Sequence, residues 1–190
     1  NTGTIQGTQY VGGIVGFMKG GTLGVGERGT VSDEETHNLG KITGTESDVG
    51  GLVGHAENNA IIGGIQDVQK DSNGNLTFNN NTEAIYNGSA VEGTYNVGGI
   101  VGSATNTTMQ NVRNESTVTA TGFTKEIYQY HEGSKTAYDV VENVHMANAG
   151  GVVGIISDGT INDALNKGNI TSAVDTNYKD STRYQGGNVG

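Results

Sequence analysis

The hexad Val11-Gly12-Gly13-Ile14-Val15-Gly16 recurs as Val49-Gly50-Gly51-Leu52-Val53-Gly54, as Val97-Gly98-Gly99-Ile100-Val101-Gly102 and as Ala149-Gly150-Gly151-Val152-Val153-Gly154. Repetition on this scale marks a stacked architecture. Each unit is too small to bury its own apolar face and must lie against its neighbours. Asn188-Val189-Gly190 matches Asn96-Val97-Gly98, where a fifth copy would begin, and the chain opens on Asn1-Thr2-Gly3 rather than on Met. The expectation is therefore a segment of a longer polypeptide.

Two further elements travel with the hexad. One has the pattern Asn, any, small, any, Ile/Val, any, small, Thr/Ala. It is clearest in Asn1 to Thr8 and Asn38 to Thr45, and looser in Asn87 to Thr94, Asn114 to Thr121 and Asn166 to Ala173. The other follows each hexad as Gly21-Thr22-Leu23, Ala60-Ile61-Ile62, Thr108-Met109-Gln110 and Gly159-Thr160-Ile161. One unit thus reads as three short strands. The interval from Asn87 to Asn114 is 27 residues, and the other intervals are 37, 49 and 52. A bare unit of the shortest length plus inserted loops accounts for all four.

Ile5, Ile42, Val91, Val118 and Ile170 each stand between small or polar neighbours, the period of a half-buried strand. No stretch carries a capped 3.6-residue apolar period, so helix content should be low. Stacking equivalent strands gives parallel sheets around one narrow core. The expected fold is all-β: a right-handed parallel β-helix, or β-solenoid, of about four to five coils with hairpin insertions, the hand following from the preference of parallel crossovers. Ile14, Leu52, Ile100 and Val152 should form an aliphatic ladder, with Val15, Val53, Val101 and Val153 turned to the other face. The recurring Asn should form a hydrogen-bonded amide ladder at a corner, where it also tolerates the left-handed conformation.

Composition excludes several classes. Cysteine is absent, so disulfides and thiolate metal sites are impossible. A formal charge of −10 repels phosphate backbones and anionic membranes, so no nucleic-acid partner is expected. No apolar run is long enough to span a bilayer as a helix.

The four hexads resemble the GLUG-type repeat of bacterial surface proteins. So does the order hexad, Thr-Ile, Asn-x-Gly-x-Ile, clearest from Gly150 to Ser172. The resemblance implies a parallel β-helix at the cell surface, of the kind found in filamentous adhesins, autotransporter-like passengers and the non-catalytic parts of IgA-cleaving metallopeptidases. It brings no catalytic residues. The chain differs from many relatives in lacking Cys and in the length of its inserts.

The whole chain, 1–190, is expected to be a single solenoid segment with insertions near 24–36, 63–84 and 123–146. The first insert holds Asp33-Glu34-Glu35. The second places Asn73-Gly74 between two alternating runs, a hairpin signal. The third also reads as a hairpin and gathers Tyr128, Tyr130, His131 and Tyr138. These four are the candidate partner-binding residues, because tyrosine joins apolar area to a hydroxyl.

Other motifs read more simply as structure. Gly24-Val25-Gly26-Glu27-Arg28-Gly29 matches a dinucleotide fingerprint but has no βαβ context. Aligning Gly74 with the glycine of a calcium loop puts Gln69 and Asn80 where carboxylates belong. His131-Glu132-Gly133-Ser134-Lys135 lacks the second His of a zinc-protease motif. Asp139, Glu142 and His145 lack the basic residues a polysaccharide-cleaving site needs. No catalytic residue, cofactor or metal is expected. The leading expectation is a non-catalytic structural and adhesive module, extracellular or at the bacterial cell surface. Its partners would be host or bacterial surface proteins or glycans, and neighbouring domains of the parent chain. The alternatives are a substrate-positioning module of a secreted peptidase and a polysaccharide-active β-helix enzyme.

Overall fold

The computed structural model describes residues 1–24, 36–63, 68–70, 73, 76–78, 85–130, 138–173 and 188–189. These residues form strands and turns, with no helix among them. In chain order, the first repeat comprises β1 (Ile5–Gly7), β2 (Val11–Gly12), β3 (Val15–Lys19), β4 (Thr22–Gly24) and β5 (His37–Asn38). The second comprises β6 (Ile42–Gly44), β7 (Ser47–Gly50), β8 (Val53–Glu57), β9 (Ala60–Gly63), β10 (Val68–Lys70), β11 (Leu76–Phe78) and β12 (Ile85–Asn87). The third has only β13 (Val91–Gly93), β14 (Tyr95–Gly98), β15 (Val101–Thr105) and β16 (Thr107–Asn114). The fourth has β17 (Val118–Ala120), β18 (Phe123–Tyr130), β19 (Tyr138–Met146), β20 (Asn148–Gly150), β21 (Val153–Ser157) and β22 (Thr160–Asn166); β23 (Ile170–Ser172) and β24 (Asn188–Val189) follow.

Equivalent strands stack in four parallel sheets, in the orders β1-β6-β13-β17-β23 (sheet A), β2-β7-β14-β20-β24 (sheet B), β3-β8-β15-β21 (sheet C) and a fourth, sheet D, built on β16. The register follows the sequence repeat. Val91 pairs with both Ile42 and Val118, and Val97 pairs with both Val49 and Ala149.

The unit therefore has four strands, not the three read from the sequence, and the hexad is the reason. The chain bends at Gly51-Leu52, so the hexad ends one strand (β7) and begins the next (β8). At each bend two successive amides converge on one carbonyl of the following repeat: Leu52 and Val53 both donate to Ile100 O, and Ile100 and Val101 both donate to Val152 O. The bend also corrects the expected facing of the valines. Leu52 and Val53, and likewise Ile100 and Val101, lie in the same buried cluster, because a corner turns neighbouring side chains inward together. Ile14 occupies the ladder position of the first repeat and is 40% exposed.

The interior is two compartments. Leu52, Ile62, Ile85, Ile100, Met109 and Val112 fill the space between sheets C and D. Ile42, Val49, Val91, Val97 and Val118 fill that between sheets A and B. Each fully buried aliphatic of this kind contributes about 1.5–3 kcal/mol.

The amide ladder lies between the two. Asn1, Asn38, Asn87 and Asn114 donate in turn, Nδ2 to the Oδ1 of the next ladder asparagine and finally to that of Asn166, over 2.8, 2.9, 2.8 and 2.7 Å. Asn38, Asn87 and Asn114 are fully buried, and each also donates to the carbonyl two residues on. This satisfies groups whose burial would otherwise be costly. The second glycine of each hexad faces the ladder. A Cβ on Gly51 would lie 2.5 Å from Asn87 Cγ, and one on Gly99 would lie 2.4 Å from Asn114 Cγ. Glycine and asparagine thus recur together because they touch. The left-handed corners belong to other residues, among them Asp48, Asn59, Asn96, Asn106, Asn111 and Asp158, and not to the ladder asparagines as expected.

Candidate functional site

Sheet D shows how the stack accommodates insertions. In the third repeat β16 runs through without a break. Gln110 pairs with Gly63 and Asn162, and Val112 pairs with Ile85 and Ala164. Only Asn111 stands between these registers, and in the fourth repeat only Asp163. Both adopt the left-handed conformation, with φ of 48° and 50°. In the second repeat residues 64–84 occupy the place of that one residue. In the first repeat the chain departs after Gly24, which pairs with Gly63, and is back in register at His37, which pairs with Tyr86. The first two insertions therefore leave sheet D at one point of the repeat, on adjacent repeats.

The third insertion leaves elsewhere, between sheets A and B. Thr121 and Gly122 still bond to the stack, donating to Gly93 O and Thr94 O at 2.8 Å each. Gly122 has a φ of 73°, which only glycine adopts without strain, and there the chain turns outward. It returns at Ala147, which is buried and accepts a hydrogen bond from Ser172 Oγ at 3.0 Å.

Phe123, the first residue beyond the turn, is 38% exposed and meets Tyr95 edge to face, with ring centroids 5.5 Å apart and planes at 90°. Phe123, Tyr95, Thr94, Thr45, Glu46 and Ser47 line a recess of about 380 Å³, within the size range of small-ligand sites. Thr94 Oγ1 donates to Thr45 O at 2.9 Å, and Ser47 Oγ accepts from Gln9 Nε2 at 3.3 Å. Glu46 is exposed and is the one charged residue among the described residues of the lining.

The candidate binding residues fall on this same insertion. β18 and β19 pair antiparallel as expected, with Tyr130 opposite Tyr138 and Tyr128 opposite Val140, across an irregularity between Ile127 and Tyr128. His131 lies outside the described residues, as do Glu132 to Lys135, Val25 to Gly29 of the fingerprint-like stretch, and Asp33-Glu34-Glu35. Asp139, Glu142 and His145 belong to β19. The second insertion forms the expected hairpin, with Val68 opposite Phe78 and Lys70 opposite Leu76. Phe123, Tyr95 and Glu46 carry no motif. The one sequence signal for them is Gly122-Phe123, an aromatic directly after a glycine at the edge of an insertion.

Two outward columns complete the surface. In sheet C, Phe17 stacks on His55 at 5.1 Å and Tyr10 leans on both rings. His55 Nδ1 meets Ser103 Oγ at 2.5 Å, and Nε2 lies 3.7 Å from Glu57 Oε2. Ser103 is only 7% exposed, and this Ser-His-Glu grouping ties neighbouring strands together. In sheet D, His37 stacks on Tyr86 at 5.0 Å, and the Arg113 guanidinium lies 4.9 Å from the other ring partner's centroid, that of Tyr86. Arg113 Nε also reaches Glu115 Oε1 at 3.1 Å, and Lys167 Nζ reaches the same oxygen at 3.3 Å. Among the described residues no group of three or more His, Asp or Glu is arranged to hold a metal ion. No described helix is long and apolar enough to cross a membrane. Comparison of the chain with protein-family models, curated proteins and solved structures gave no match.

Proposed function

We propose that the chain is a right-handed β-solenoid segment of four to five coils, serving as a non-catalytic structural and adhesive module of a secreted or cell-surface bacterial protein. In this reading the stack is the spacer and the insertions are the ligand-facing parts. The GLUG-type likeness of the hexads supplies the bacterial surface setting. The partners are host or bacterial surface proteins or glycans, with neighbouring domains of the same polypeptide at the ends of the stack.

The observation that carries the reading is the division of labour along the chain. The interior is filled by aliphatic columns and a self-satisfied amide ladder. Among the described residues, the chain in excess of the bare repeat leaves the stack at two points of the unit: after Gly24 and Gly63, and after Gly122 and again between β23 and β24. Loops carried on a rigid scaffold are where binding concentrates.

The test is a set of three proteins immobilised on a surface: the whole chain, a variant with residues 124–145 replaced by a short glycine-serine turn, and one with residues 64–84 so replaced. Each is offered a glycan array and intact bacterial and epithelial cells. Binding by the whole chain that is lost in at least one variant of unchanged circular dichroism is expected. Binding that survives both replacements, or none by the whole chain, would overturn the reading.

A further inference from the structure

We propose that the recess at the root of the third insertion receives the cationic side chain, lysine or arginine, of a protein partner. The inference rests on the display reading above and adds the chemistry the partner presents.

Three features select a cation. The recess is bounded by two aromatic rings set at 90°, Tyr95 and Phe123, and ring faces attract ammonium and guanidinium groups through the aromatic quadrupole. Among the described residues of its lining the one charged group is Glu46, and the chain as a whole carries −10. Long-range and local fields thus have the same sign and draw in positive groups. The Thr94 hydroxyl proton is committed to Thr45 O, which leaves its lone pairs to accept from an ammonium or guanidinium group.

Position supports the assignment. The recess joins two parts of the chain. Thr45 to Ser47 and Thr94-Tyr95 belong to the stacked repeats, and Phe123 to the start of β18. A side chain seated there would touch the scaffold while the rest of its polypeptide lay along the β18–β19 hairpin, where Tyr128, Tyr130 and Tyr138 reside. The apolar stem of Lys or Arg suits the ring surfaces, and the charged head suits the Glu46 side.

The test uses the whole chain and small probes followed by NMR. N-acetyl-lysine methylamide and N-acetyl-arginine methylamide are the positive probes. N-acetyl-norleucine methylamide, of similar length without charge, and methyl galactoside are the controls. Saturable shifts of the Tyr95 and Phe123 ring signals with the cationic probes alone are expected. Glu46→Gln and Phe123→Leu should each weaken binding about fivefold, and Phe123→Leu keeps an apolar side chain at the surface so that folding is preserved. Equal shifts with norleucine or galactoside, or undiminished binding by Glu46→Gln, would overturn the proposal. If the cationic probes fail while replacing residues 124–145 still abolishes capture on cells or glycans, the recess assignment falls and the display reading stands. If the probes bind but the whole chain engages no surface, the display reading falls and the recess chemistry stands.

Discussion

The third repeat and the second have the same strands in the same register, yet one is bare and the other carries residues 64–84. The difference is confined to one site. Where the third repeat places Asn111 in a left-handed bulge, the second sends out a segment containing the β10–β11 hairpin and returns to pair Ile85 with Val112. A bulge residue lies outside the strand ladder, so extending it costs the neighbouring pairs little, and loop closure grows only slowly with length. The fourth repeat uses another exit, at Gly122, where the chain is likewise already in a left-handed turn. Insertions therefore enter where the backbone has already left the ladder. The amide ladder and aliphatic columns continue uninterrupted beside them.

If that is so, damage inside the shared frame should be severe and damage at the exits mild. The largest expected effect is Asn87→Ala. It would leave Asn38 Nδ2, Asn114 Oδ1 and Ser89 O without their partner, at about 1–3 kcal/mol for each buried group. A loss of about 4 kcal/mol in urea unfolding is expected. Asn166→Ala, at the exposed ladder asparagine, removes one partner of Asn114 Nδ2, which keeps Ser116 O, and should lose about 1 kcal/mol. Equal losses would mean that the ladder is not a buried element. Next, Leu52→Ala should cost about 3 kcal/mol by opening a cavity at a fully buried site. Ile14→Ala, at the equivalent but uncovered position, should cost less than about a third of that. Comparable with Leu52→Ala is Gly51→Ala, about 3 kcal/mol, because its Cβ would meet the backbone Gly99 O at 2.1 Å and the buried Asn87 side chain. Gly21→Ala meets no atom within 4 Å, and its cost is the left-handed backbone alone, about 1 kcal/mol.

Much of this frame was legible in the sequence. The spacing of Asn1, Asn38, Asn87, Asn114 and Asn166 is enough to suggest an amide ladder, because stacking places equal residues against each other. The β character, the parallel pairing and the two hairpins follow from strand period and turn residues. Three things were hidden. Leu52 and Val53 look like an alternating pair, since the bend between sheets B and C depends on how the glycines pack against the next repeat. Asn111 and Asp163 look like ordinary strand residues, and only the register with Gly63 and Ile85 marks them as the place where loops enter. The recess at Tyr95 and Phe123 unites a corner residue with the root of an insertion, a contact no local pattern announces.

The most direct test is to replace residues 64–84 with a single asparagine, converting the second repeat into a copy of the third. The account predicts an unchanged far-ultraviolet circular dichroism shape and a urea midpoint within experimental scatter of the parent, because β9 and β12 would join as one strand of the β16 type. Loss of the β signal, or a stability loss as large as that of Asn87→Ala, would contradict it. The insertion would then be a part of the fold and not a loop carried by it.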